Sequence, residues 1–534
     1  MSELPEGSGR SAHAAAHLAG MGSGRTRGPI RIVDTSLRDG NQSLWGATGI
    51  TTGMAEVAAR ELDAMGLDAI DFTSSTHLSM GVKFHREDPW ERLDRVTAAA
   101  PGTLLSAITT GMRFMSWEKA SESVMRLALR MLARHGVTRL HIAEPMNDRD
   151  ATRRVAQWAK QEGFERVVAG VVFTESPVHT DERYIANAAA YDADPAIDRV
   201  YLKDPGGLLT APRVADLVPQ LRAVVSKPLE LHSHTTTGAA SQLYVQAAAL
   251  DIDVLHTGLG PLSNGTAQPS LEHLLINLDA IGIPVDVDRE AAARAAETLW
   301  RIARSQGLAA GEPTEFDLGA HVHQVPGGMM GTLRRQLSEI GLADRLPAVL
   351  DECVRVRADL GYPIMVTPFS QFVGSQALMN VLAAESGQER YSRIPDEVVR
   401  FVLGHFGTPE GPIDPDVISR VRDLPRAAEL DRPAEELSLA ELHRIHEARL
   451  GRALTEEELL LAIVLPEEQL APMYAAGPAP AWSSGARSVT GAGRVVTDAQ
   501  TFIEAVDELP RWRHLNVRFG EARISLTRPS EESA

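Results

Sequence analysis

Two histidines one residue apart, His232 and His234, stand in the run LHSHTTTG at residues 231–238. In an extended strand, residues i and i+2 share a face, so both imidazoles can reach a single ion. Taken alone, the pair reads as readily as two satisfied strand histidines. Asp39 lies in DTSLRDGNQSL and Lys203 in YLKDPGGLL. Alone, Asp39 reads as a turn or helix-cap aspartate, and Lys203 as a surface or ion-pair lysine. Together they describe something more specific. One acid and two neutral imidazoles suit a divalent cation such as zinc, manganese or cobalt. A lysine beside a cation is repelled unless its amine, lowered in pKa, carries CO2 as a carbamate. The carbamate is anionic and supplies an oxygen ligand.

The elements that must hold these groups are short β-rich runs alternating with helical patterns. The runs are IRIVDTSL, LDAIDFT, GTLLSAIT, RLHIAE, RVVAGVVF, DRVYLK, PLELHSH and DVLHTG. Segments such as GMAEVAARELDAMG and APRVADLVPQLRAVV lie between them. Eight strand–helix units at roughly thirty-residue spacing predict an α/β fold, a TIM (β/α)8 barrel. The alternative is a doubly wound open sheet, but no GxGxxG follows the first run. In a barrel, chemistry sits at the C-terminal ends of the strands, which is where Asp39, Lys203, His232 and His234 fall.

The expected organisation is a disordered leader at 1–28, the barrel at 29–287 and an α-rich domain at 288–470 that completes the site. An Ala/Gly/Pro/Ser-rich linker follows at 471–496, then a helix-hairpin module at 497–530 (TDAQTFIEAVDEL, then HLNVRF-GE-ARISLT). The chain has 534 residues, 44% hydrophobic and 23% charged, with a formal net charge of −18 spread along its length. That balance suits a soluble acidic protein and speaks against nucleic acid or an anionic membrane as the main partner. The single cysteine, Cys353, excludes a disulfide framework. No apolar run is long enough to span a bilayer. The N-terminus lacks the apolar core of a signal peptide, so a cytoplasmic location is expected.

Several motifs stand in a characteristic order: DTSLRDGNQSL, EDPWERL, FTESPVHT, LKDPGGLLT, LHSHTTTG, LSNGTAQPS, HQVPGGMMGTL and VTPFSQFVGSQAL. From about residue 30 to about 415 the chain resembles the biotin-dependent carboxyltransferases. These include the carboxyltransferase domain of pyruvate carboxylase, the oxaloacetate decarboxylase α subunit and the transcarboxylase 5S subunit. The resemblance implies a metal-dependent carboxyltransferase or decarboxylase that works through a metal-stabilised enolate. Asp39, His232, His234 and carboxylated Lys203 would bind the metal, and Gln42 would lie beside the substrate. Thr367 would shuttle a proton between biotin and the substrate carbon, with Ser370 also at the biotin. The substrate floor departs from the family. Thr109, in AITTGM, stands where the family has the arginine that grips the substrate carboxylate, and Arg113 is the nearest substitute. The histidine of the family's RDAHQS is Asn41. The acceptor is thus open between a pyruvate- or oxaloacetate-like oxo acid and an acyl-CoA.

The lysines are Lys83, Lys119, Lys160, Lys203 and Lys227, and none stands in an MKM-type hairpin. Carboxybiotin is therefore expected in trans, from a biotin carboxyl carrier protein charged by a biotin carboxylase subunit. By analogy the chain would form a homo-oligomer. Two other readings compete. A divalent-metal acyl-CoA lyase or Claisen-type synthase shares LRDG and HxH but needs neither Lys203 nor VTPFSQ. A non-catalytic scaffold of a carboxylase complex rests only on the altered substrate floor.

Overall fold

A computed structural model describes residues 28–113, 120–431 and 436–482, and four short strands beyond them. Residues 1–27 of the expected leader and the helix read at TDAQTFIEAVDEL lie outside the described residues. Each of the eight β-rich runs forms a strand: β1 Ile30–Asp34, β2 Ala69–Ser74, β3 Leu105–Thr109, β4 Arg139–Ile142, β5 Arg166–Val172, β6 Arg199–Asp204, β7 Leu229–Ser233 and β8 Val254–Thr257. The strands are parallel and pair in sequence order. β1 pairs with both β8 and β2, so the sheet closes. Closure excludes the open doubly wound sheet.

Alternation sorts each strand into two faces. In β7, Leu229 and Leu231 turn outward into the apolar layer beneath the helices, and Glu230 and His232 share the inner face. β4 does the same with Leu140 and Ile142 against Arg139 and His141. Side-chain caps start many of the surrounding helices. Ser121 accepts from the Val124 amide at the head of Glu122–Arg134, and Asp148 accepts from Ala151 at the head of Arg149–Gln161.

The division into units differs from the one read in the sequence. Helix Arg289–Gln306 buries Ala291, Ala295, Leu299 and Ile302 in the barrel's core, so the barrel unit does not end at 287. A separate apolar core runs from Val325 to Ala427. It is built by helices Gly327–Glu339, Leu346–Asp359, Phe369–Glu385, Asp396–Val402 and Pro415–Arg422. Helices Leu439–Leu450, Glu456–Val464 and Glu467–Ala476 then return to the barrel. Leu442, Leu459, Leu460 and Met473 pack into its core. Arg130 and Arg134 pair with Glu456 at 2.9 and 2.8 Å.

The described part of the expected linker is not free. Residues 471–476 finish a helix, and the Ala479 carbonyl accepts from Arg95 at 2.6 Å. Trp482 packs on the barrel core, and a Cβ at Gly53 would meet the Pro480 carbonyl at 2.5 Å. Small residues here allow a close-fitting strap rather than a loose tether. At the far end, His514–Phe519 and Ala522–Thr527 pair as the antiparallel hairpin expected there.

Candidate functional site

The end of β1 sets Asp39. The Asp34 carboxylate accepts from the Ser36 amide (3.0 Å) and hydroxyl (2.9 Å), folding the chain into the tight turn Ser36–Gly40. Lys203 and His232 are register partners on β6 and β7, so one strand spacing separates them. The turn after β6 is held by Asp204, which accepts from the Leu208 and Leu209 amides at 2.9 Å each and from Ser233 at 2.8 Å. Gly207 has φ +67°, and a Cβ there would meet the His234 carbonyl at 2.5 Å. The glycine in LKDPGG thus lets this turn lie against the loop that carries His234.

These elements bring the ligand types together. Asp39 Oδ2 lies 3.1 Å from His232 Nε2 and 3.4 Å from His234 Nε2. The two Nε2 atoms are 3.4 Å apart, and Lys203 Nζ is 3.3 Å from His232 Nε2. Ligands about 2.0–2.2 Å from a tetrahedral ion stand about 3.3–3.6 Å from each other, so the spacing suits a small divalent cation. The His234 Nδ1–H donates to the Thr266 carbonyl at 2.7 Å, which leaves its Nε2 as a bare lone pair. The Gln268 amide nitrogen lies at this focus, 3.3 Å from Asp39 Oδ2, 3.3 Å from His232 Nε2 and 3.2 Å from His234 Nε2. Gln268 is itself held by Thr35, which donates to its Oε1 at 2.7 Å.

The electrostatics agree with ligand roles. Burial would raise the Asp39 carboxyl, but the Arg38 guanidinium holds it well below the usual range. Arg38 stands 3.2 Å from Asp39 and donates from Nε to Asp71 at 2.8 Å. Burial and then Lys203 hold His232 neutral, with Asp39 opposing. Burial lowers the Lys203 amine to about 8, Asp39 opposing and Arg38 adding. A neutral amine is the form that captures CO2.

A cavity of about 310 Å³ opens above this cluster, between the barrel mouth and the second unit. Asp39, Gln42, Arg113, Lys203, His234, Thr367 and Ser370 all line it, and His232 lies beneath. Thr109 does not line it. Its hydroxyl donates to the Gly111 carbonyl at 2.9 Å, while Ile108 and Thr110, on the other face of β3, turn to the cavity. Thr110, rather than Thr109, is thus the threonine that faces the cavity. Arg113 is buried, with its guanidinium 5.3 Å above the Phe406 ring and 3.8 Å from the Glu144 carboxylate. Its Nε has no hydrogen-bond partner among the described residues. Burial pushes Glu144 up to about 7, against the Asp148 and Met146 amides and the charge of Arg113. Arg38 and Gln268 are site residues that sequence reasoning passed over. Both lay within quoted motifs, DTSLRDG and LSNGTAQPS, whose other members drew attention first.

Comparison with known proteins divides the chain at nearly the same point after the barrel's strands and helices. The HMGL-like family matches residues 29–299, and the family described as Conserved carboxylase domain matches 321–475. The chain is similar to a pyruvate carboxylase subunit of Methanocaldococcus jannaschii, 31% identical over 407 residues, covering 76% of this chain and 70% of that one. It is also similar to the 2-oxoglutarate carboxylase large subunit of Hydrogenobacter thermophilus, 28% identical, covering 83% and 68%. In fold it matches the carboxyl transferase domain from Rhizobium etli pyruvate carboxylase with a TM-score of 0.75 and 21% identity, covering 90% and 83%.

Proposed function

The chain belongs to the biotin-dependent carboxyltransferases, and from that premise we propose that it moves a carboxyl group between carboxybiotin and a small 2-oxo acid at the barrel mouth. The observation that carries the reading is the convergence of Asp39, His232 and His234 beside Lys203, under a cavity that Thr367 also lines. Asp39, His232, His234 and a carbamate on Lys203 would hold a divalent cation. When bound, that cation supplies Lewis-acid polarisation of the acceptor carbonyl. Burial brings the Lys203 amine to about 8, so its neutral form is within reach at physiological pH.

Thr367 acts as the proton carrier. Its hydroxyl gives its proton to the biotin nitrogen that has lost the carboxyl group and takes one from the acceptor carbon. Ser370, one helical turn on, contacts the biotin ring. Arg113 supplies the positive charge for the acceptor's carboxylate, and Gln42 and Thr110 hydrogen-bond beside it. Arg38 is unsuited to that task because Asp71 and Asp39 already engage it. At about 310 Å³ the cavity is at the small end for ligand sites, which favours an oxo acid over a buried CoA. The archaeal and Hydrogenobacter relatives are both carboxylases named for 2-oxo acids. A biotin carboxylase and a biotin carrier are the proposed partners, a reading supported by relatives named as carboxylase subunits. The barrel alone would also suit a metal-dependent acyl-CoA lyase; the carboxylase-domain match over 321–475 favours carboxyl transfer.

The test is to purify the chain, assay its metal content and measure carboxyl exchange with a biotinylated carrier against a panel of 2-oxo acids and acyl-CoAs. Exchange with an oxo acid that is lost in Thr367→Ala is the expected result. Exchange with acyl-CoAs alone refutes the acceptor, and aldol-type cleavage without biotin refutes the reaction class.

A further inference from the structure

Beneath the candidate metal site the barrel is filled by a polar column. His141, Glu230 and His256 bring three ligand-type atoms close together there and are all buried. This is not a second cation site. Glu230 already accepts from Arg139 at 2.9 and 2.7 Å and from Arg199 at 3.0 Å, and Arg139 also reaches His141. Two guanidiniums in that space repel a cation.

The column instead runs upward to His232. His256 Nε2 is 2.9 Å from Glu230 Oε2, and His256 Nδ1 is 3.2 Å from His232 Nδ1. The bonding partners fix the protons. A carboxylate bound by two arginines only accepts, so His256 must donate from Nε2. A second proton on His256 would add a cation beside Arg139, so its Nδ1 is left as an acceptor. His232 must then donate from Nδ1, and its Nε2 lone pair faces Asp39. The opposite tautomer of His232 would point a proton at Asp39 and close the site to a cation.

We propose that His256, anchored by Glu230 and Arg139, is a positioning residue that fixes the His232 ring and offers its Nε2 to the cation. The inference rests on the metal reading above. A group that accepts the other ring N–H of a metal-ligating histidine fixes its tautomer, orients the ring and tightens binding.

The test uses the full chain, stripped of metal and titrated with Co2+ against a chelating dye, with visible spectra recorded. His256→Leu removes the acceptor. His256→Gln restores an acceptor toward His232 and a donor toward Glu230. We expect His256→Leu to weaken Co2+ binding by about 10- to 100-fold and to change the visible band, and His256→Gln to recover most of the affinity. Wild-type affinity in a folded His256→Leu variant overturns the inference while leaving the metal reading standing. A wild-type chain that binds neither Co2+ nor Zn2+ overturns both. Should His256→Leu fail to fold, histidine 15N spectra of the metal-free wild type decide the matter. Protonation of His232 at Nδ1 supports the inference, and protonation at Nε2 overturns it.

Discussion

With Arg113 at the acceptor carboxylate, as proposed, its pairing with Glu144 makes acceptor binding depend on pH in a definite direction. Glu144 titrates at about 7 because burial raises it. Below that pH it is neutral, and the charge of Arg113 is available to an acceptor carboxylate. Above it, the carboxylate 3.8 Å away competes for the same charge. At an effective dielectric of about 20, that separation corresponds to roughly 4 kcal/mol, ample to make the two states bind an anion very differently. KM for the oxo acid should then rise with pH as one plus ten to the power of (pH − 7), about elevenfold at pH 8 over its low-pH limit. Glu144→Gln removes the competing charge and keeps the amide contacts at Met146 and Asp148 through its carbonyl. Its KM should stay flat across the same range, with kcat unchanged. Steady-state carboxyl exchange from pH 6 to 8.5 measures both. A wild-type KM that does not rise, or a Glu144→Gln variant that rises as steeply as wild type, refutes the assignment of Arg113 to the acceptor.

The same carboxyl affects folding. Its folded pKa lies above the ordinary value of 4.5, so the neutral form is favoured in the fold. Stability from this group is full below 4.5 and lost as pH rises through about 7, by about 3 kcal/mol. Melting scans should show Glu144→Gln gaining on wild type between pH 5 and 8. Thr367→Ala should lower carboxyl transfer by about 10²- to 10⁴-fold with bound metal unchanged; loss of the metal as well would mark Thr367 as structural. Lys203→Ala should lose the mass of one CO2 that wild type shows under non-acidic conditions, and should hold less metal; a bare lysine in metal-loaded wild type refutes the carbamate. Gly53→Ala forces a Cβ against the Pro480 carbonyl and should open residues 477–482 to limited proteolysis; unchanged cleavage would mean the strap yields without detaching.

The strands and the meeting of Asp39, His232 and His234 were legible because both depend on short-range pattern. Strand runs of four to seven residues separated by helical periodicity admit few readings, and His-x-His needs only the two-residue repeat of a strand. The limits of the units were not legible. Arg289–Gln306 and Glu456–Val464 bury apolar residues as the helices of the second core do, and nothing local says which surface each covers. Residues 477–482 read as a tether because their anchors, Arg95 and Glu91, sit nearly four hundred positions earlier. The case of Thr109 is of a third kind. Thr109 and Thr110 are neighbours, and a one-residue change of phase at a strand end decides which faces the cavity.

His256 and Glu230 were hidden for a different reason. Each lies on the inner face of its strand, β8 and β7, and becomes meaningful only when closure stacks its strand beside the next. TIM barrels commonly fill this space with branched apolar side chains. Here Arg139, Arg199, Glu230, His141 and His256 occupy it, nearly inaccessible to solvent. Taking such ions out of water costs several kcal/mol each, and their pairing restores at best about that much, so stability alone gives no reason to prefer them to leucine and valine. What the column does that an apolar filling cannot is present a proton acceptor to His232 from below. The polar interior is therefore better explained by the cation site proposed above it than by the fold around it.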